Sequence, residues 1–140
     1  MTITNEFKTR KIEFTTVESI KEYHPSHRLH VKIDTENIHT SFNDHIWVND
    51  EGIEKFLVEL SSLDESRTGE ATLESMSPGI MKLTFKTIDD LGHLSVTLQY
   101  IKSDNTSEDY SYDLTVEFQI DPTSLKLIRN ELSLMIKNGR

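Results

Sequence analysis

The sequence predicts an α+β fold, a two-layer arrangement in which an antiparallel meander sheet carries two amphipathic helices packed on one face. Three observations point there. Apolar and polar residues alternate in several segments after residue 28, which is the two-residue period of a strand with one buried face. Two other segments switch to the helical period. The alternation is clean, whereas parallel strands buried on both faces would read as continuous apolar runs, so a doubly wound α/β fold is disfavoured. One-faced helices and a one-faced sheet bury those faces only against one another.

The opening stretch, MTITNEFKTRKIEFTTVESIKEYHP, alternates polar and apolar residues. It lacks the apolar run of a signal peptide or a membrane span, which argues against export by that route. The place of the first 25 residues in the fold is left unassigned. Tyr23 to His27, Leu63 to Thr68 and Ser103 to Asp109 are polar and read as loops. Leu29, Val31 and Ile33 then alternate with Arg28, His30 and Lys32 as a half-buried strand. A first helix follows: Ile53, Phe56, Leu57, Leu60 and Leu63 form its stripe, Asn49 or Asp50 its N-cap, and Glu51 and Glu54 sit where the helix dipole favours acid.

A hairpin comes next. If Met76 and Ile80 close a loop of Ser77, Pro78 and Gly79, then Leu73 faces Leu83 and Ala71 faces Phe85 on the inner side. On the outer side Glu74 meets Lys82, Thr72 meets Thr84 and Glu70 meets Lys86. Both faces agree on one register, although Pro78 at the second loop position disfavours the usual turn and argues for a longer loop. Asp89, Asp90 and Gly92 supply the next turn. Leu94, Val96, Leu98 and Tyr100 form the third strand, and Tyr112, Leu114, Val116, Phe118 and Ile120 the fourth, which completes a meander. Asp121 with Pro122 marks the start of a second helix, whose stripe is Leu125, Ile128, Leu132, Met135 and Ile136 and whose end is Asn138 with Gly139. With 140 residues, no linker-like tract and no repeat, a single domain over 1–140 is expected.

Composition narrows function by exclusion. Fifteen Lys plus Arg against 24 Asp plus Glu gives a net charge of −9, which argues against nucleic acid or an anionic membrane as partner. The absence of cysteine excludes a disulfide framework, a thiol nucleophile and a zinc-thiolate site, and is consistent with a reducing cytoplasm. No nucleophile elbow and no phosphate-binding glycine loop is present, so neither a catalytic set nor a cofactor is expected. His24, His27 and His30 recur every third residue, but only His30 falls on a predicted strand, pointing outward. His24 and His27 flank Pro25 in what reads as a solvated loop, so no metal site is expected. His93 reads as a backbone-bonded turn residue. Nothing is read from His39 and His45. Trp47 reads as a core or staple residue at the junction into the first helix.

Charge is also unevenly placed. Between Lys102 and Lys126 there is no Lys or Arg, while Asp104, Glu108, Asp109, Asp113, Glu117 and Asp121 all fall there. On the fourth meander strand Asp113, Thr115, Glu117 and Gln119 face away from the core, and the adjoining strand presents only Ser95, Thr97 and Gln99. The result is an uncompensated negative strip. It reads either as a solubilising face or as a docking surface for a basic partner.

One arrangement resembles a known family. His45-Ile46-Trp47-Val48, the helix from Ile53 to Leu63, the Glu- and Lys-rich hairpin, the turn Asp90-Leu91-Gly92-His93 leading into Leu94 to Leu98, and Phe118-Gln119-Ile120-Asp121-Pro122 before a last helix resemble WapI-type immunity proteins of bacterial toxin systems over residues 28–137 in element order. That resemblance implies a small cytoplasmic protein that binds the toxic C-terminal domain of a polymorphic or contact-dependent toxin, commonly a nuclease, and blocks it without catalysis of its own. It supplies no binding residues position by position. Charge alone therefore selects Asp104, Glu108, Asp109, Asp113 and Glu117 as the contacts for a basic toxin domain. Two alternatives come from other classes: a small-molecule-binding or regulatory module with an apolar pocket near Trp47, and an enzyme using His93 with Asp90.

Overall fold

A computed structural model describes residues 1–43, 45–104 and 110–139, and its order of elements is five strands, a helix, four strands and a helix. The α+β class and both amphipathic helices hold. The meander is present with the expected pairing: β6 (Glu70–Glu74), β7 (Met81–Thr87), β8 (Leu94–Asp104) and β9 (Tyr110–Ile120) form an antiparallel sheet in that order. In the first hairpin Ala71 faces Phe85, Leu73 faces Leu83, and Glu70 and Glu74 stand opposite Lys86 and Lys82.

The hairpin turn is longer than three residues. Its strands stop at Glu74 and Met81, and the Ser75 hydroxyl closes the intervening loop by donating to the Ser77 carbonyl at 2.7 Å and accepting from the Met81 N–H at 3.1 Å. Pro78 is the physical reason, since its fixed φ does not suit the second position of the shorter loop. Gly79 takes a φ of 87° beside it, a conformation that suits glycine.

The chain before the first helix forms a second sheet instead of joining the meander. Its members are β1 (Thr2–Thr4), β2 (Lys11–Ile20), β3 (Ser26–Asp34), β4 (His39–Phe42) and β5 (Trp47–Asn49). β3 pairs with β2 along one side, and along the other with β4 through Val31 to Asp34 and with β5 through Ser26 to Arg28. This sheet was hidden in the sequence because the alternation of β2 stops halfway. Ile12 and Phe14 are buried, but Val17 and Ile20 project past the core and are exposed. A bulge at Val17 separates the two halves.

Helix α1 spans Asp50–Ser66, with Asn49 as N-cap accepting a 2.7 Å bond from the Gly52 N–H, and it buries Ile53, Phe56, Leu60 and Leu63. The expected loop at Leu63 therefore starts later, and Arg67 in a left-handed conformation (φ 56°) terminates the helix by returning its N–H to the Leu63 carbonyl. Helix α2 spans Ser124–Gly139 and buries Leu125, Ile128, Leu132 and Ile136. Asp121 organises its entry, accepting from the Thr123 N–H on its side chain and from the Ser124 N–H and hydroxyl on its carbonyl.

α1 lies on the meander, where Phe56 meets Phe85 with ring centroids 5.9 Å apart. The second sheet covers another part of the same face: Phe42 of β4 stacks on Tyr100 of β8 at 4.1 Å. The opposite face of the meander presents its polar residues.

Candidate partner-binding surface

On that polar face the β8–β9 register sets Thr97 opposite Glu117, Gln99 opposite Thr115, Ser95 opposite Gln119 and Ile101 opposite Asp113. Asp113 and Glu117 are both exposed. Lys82 and Lys86 lie two strands away on β7, each directly opposite a Glu of β6. At the usual strand spacing that is about 10 Å, comparable to the screening length at physiological salt, so the lysines do little to offset the carboxylates of β9. Four residues along one strand separate Asp113 from Glu117 by about 13 Å, which suits two separate cationic contacts on a partner. Asp104 ends β8 opposite Tyr110, but its side chain, like Glu108 and Asp109, lies outside the described residues.

The edge of this surface differs in character. β9 overhangs the core at its first half: Val116, Phe118 and Ile120 are buried, Leu114 is half-buried, and Tyr110 and Tyr112 are 37% and 61% exposed. Their rings lie 5.4 Å apart. These side chains share the inner face, so β9 is acidic on one side and aromatic on the other.

The histidines distribute differently from expectation. His27 is not in a solvated loop. It lies in β3 at 1% exposure, its Nε2 donating to Asp50 Oδ1 at 2.6 Å, with Ser19 Oγ 2.9 Å from its Nδ1. The carboxylate accepts only, so in the neutral imidazole the proton sits on Nε2 and the Ser19 hydroxyl donates to Nδ1. The bulge at Val17 explains the contact, because the extra residue turns Ser19 onto the inner face opposite His27. Asp50 is the first residue of α1, and its own N–H donates to the Pro25 carbonyl at 2.8 Å. The triplet pins the helix start to the second sheet, with a carboxylate where the dipole favours it. Its period was readable: His27 is in phase with Leu29, Val31 and Ile33.

His93 does bond its turn. Asp89 Oδ1 accepts from the backbone N–H of Leu91 and of His93, and Oδ2 accepts from His93 Nδ1 at 2.5 Å. The imidazole's hydrogen bond holds the Asp89 carboxyl below its ordinary pKa. The partner is thus Asp89, and Asp90 takes no part in this bond. His39 similarly donates to Asp34 at 3.0 Å and lowers its pKa, with Lys32 adding to the effect. His24 is exposed in the β2–β3 turn and His30 faces away from the core side of β3. Among the described residues no group of three potential ligands is placed to hold a metal ion.

Trp47 is half-buried in β5, opposite Arg28, and its carbonyl accepts from the Met76 N–H at 2.7 Å, joining the second sheet to the meander turn. A cavity of about 560 Å³ lies elsewhere, between the β1–β2 turn and the end of β9, with Phe7, Arg10, Glu36, His93 and Asp121 on its walls and Trp47 not among them. Arg10 and Glu36 pair across it at 3.1 Å. No helix among the described residues is long and apolar enough to cross a membrane.

With this surface in place, comparison with known proteins defines the class. The family described as Immunity protein WapI-like family matches residues 6–138. The chain belongs to that family, and the match takes in most of the first 25 residues. Membership places it among immunity proteins, whose partner is a protein toxin. No curated protein matches it. Among solved structures, a chain from the crystal structures of "trypanosoma bruciei MRP1/MRP2" is similar over 97% of this chain and 81% of that one, with 14% identity and a TM-score of 0.43.

Proposed function

We propose that this chain neutralises a basic cytoplasmic toxin domain, most simply a nuclease, by covering its active cleft with the acidic surface along β9. The observation that carries the reading is the pair Asp113 and Glu117, exposed on the outer face of one strand, where the cations of that face, Lys82 and Lys86, lie two strands away, while Lys102 of the adjoining strand stands opposite Tyr112 on the other face. Asp104, Glu108 and Asp109 extend the same charge through the preceding segment of the sequence. A nuclease concentrates positive potential where it holds phosphates, and an acidic strand competes for that field. Inhibition of this kind is steric and electrostatic, so the chain needs no catalytic group, cofactor or metal.

The test is the salt dependence of affinity for the toxin domain recovered with the chain from its native cell. Raising ionic strength from 50 to 500 mM is expected to weaken binding by about tenfold or more, chiefly through slower association. The double variant Asp113→Lys with Glu117→Lys is expected to reproduce the loss at low salt while melting at the unaltered temperature. Affinity indifferent to both changes would remove the electrostatic mechanism.

A further inference from the structure

β9 is an open edge. It pairs with β8 on one side in an unbroken register from Leu94–Ile120 to Asp104–Tyr110, and it ends the strand order, with no strand on its other side among the described residues. The other terminal strands are short, with three residues in β1, four in β4, three in β5 and five in β6, and the half of β2 that β1 leaves uncovered, beyond Phe14, is interrupted by the bulge at Val17. β9 has 11, a length of about 35 Å. Natural edges of that length are blunted by proline, by lysine or by bulges, because unpaired N–H and C=O groups recruit further strands. The sequence YSYDLTVEFQI has no proline, glycine, lysine or arginine, and its register has no shift.

We propose that β9 binds its partner by strand addition, taking up an extended segment of the toxin domain whose residues alternate between basic and apolar. This rests on the toxin-neutralising reading above and adds the chemistry and geometry of the contact. The two faces of β9 dictate the alternation. An added strand places every second side chain beside Asp113 and Glu117, where a cation is favoured, and the others beside Leu114, Tyr112 and Tyr110, where an apolar side chain covers exposed rings. A second copy of this chain is a poor occupant. Antiparallel pairing of β9 with itself sets the acidic residues of one copy among those of the other, whereas a basic strand makes the same positions attractive. The acid thus guards the edge against self-association while selecting its proper partner.

The experiment reads backbone amide exchange of residues 111–117 with two synthetic peptides of equal composition, one alternating lysine and valine along its length and one with the lysines and valines in separate blocks. Strand addition predicts that the alternating peptide slows the outward-facing, alternate amides by about tenfold or more, while the blocked peptide of equal charge leaves them unchanged. Tyr112→Lys is expected to abolish the protection and Tyr112→Phe to retain it, with both variants melting near the unaltered chain because Tyr112 lies outside the core. Equal effects of the two peptides, or exchange unaltered by either at millimolar concentration, overturn the proposal. If either result accompanies salt-sensitive binding of the toxin domain, strand addition falls and the acidic-surface reading stands. If the toxin domain binds without salt dependence, the acidic-surface reading falls and the inference with it.

Discussion

At the scale of single residues, His27 shows how a polar side chain becomes structural. It is buried between Ser19 and Asp50, and its two nitrogens join a strand, a bulged hairpin and a helix start. Removing it takes away a charge-assisted hydrogen bond and leaves a cavity beside a carboxylate that is only 6% exposed. His27→Ala is therefore expected to cost about 2–4 kcal/mol, read as a lower denaturation midpoint. Ser19→Ala, which removes one hydrogen bond at an exposed position, is expected to cost about 1 kcal/mol or less. Equal losses would mean that the imidazole contributes little beyond the hydroxyl bond. Two carboxylates at the surface behave differently. Asp89 and Asp34 titrate below their ordinary value because His93 and His39 donate to them. A depressed carboxylate pKa contributes stability that is present above the unfolded-state pKa and is lost as pH falls through the folded one. Both groups lie at the surface within reach of solvent, so the effect is small, and it is confined to pH below about 4. Asp89→Asn is expected to flatten the fall of melting temperature across that acid range and to leave the slope between pH 6 and 8 unchanged.

At the scale of elements, local chemistry accounts for why some pieces were readable and others were not. α1 announces itself by a stripe and an N-cap, and Asn49 caps it as expected; Asn49→Ala is expected to cost about 1 kcal/mol, measured by urea unfolding, whereas Asn49→Asp is expected to be nearly neutral. The first meander hairpin was readable to the residue because two independent constraints, apolar facing and charge pairing, selected the same register. The second sheet escaped because neither constraint operates along it. β1, β4 and β5 are too short to show a period, and the bulge at Val17 breaks the alternation of β2 where it leaves the core. His27 escaped through an assumption about composition: beside Pro25 a histidine looks like loop, although its position two residues before Leu29 places it on the buried face. Charge placement on β9 was legible because a strand's outer face follows from its period. The open edge was not legible in that way, since which strand ends a sheet depends on the connection of all the others.

At the scale of the whole molecule, the two sheets and two helices share a single contiguous cluster of buried apolar residues. The joints between them are specific. Phe42 stacks on Tyr100 across the two sheets, Phe56 meets Phe85 beneath α1, Arg129 of α2 reaches Asp64 of α1 at 3.2 Å, and Glu131 of α2 accepts from the Thr2 N–H of β1 at 3.0 Å. Neither sheet has a separate core to retain if the other opens, because residues of both line the same cluster. Unfolding is therefore expected to be one cooperative transition, with calorimetric and van't Hoff enthalpies in agreement. Trp47 is the only tryptophan and stands in the N-terminal sheet, so its fluorescence reports that sheet while far-ultraviolet circular dichroism reports all the elements. The two probes are expected to give coincident curves. Phe42→Ala, which removes a half-buried ring from the joint between the sheets, is expected to cost about 2–3 kcal/mol and to move both curves together by several degrees. A tryptophan transition that shifts ahead of the circular dichroism in this variant would mean that the N-terminal sheet opens by itself, and that the shared cluster couples the two sheets less tightly than their packing implies.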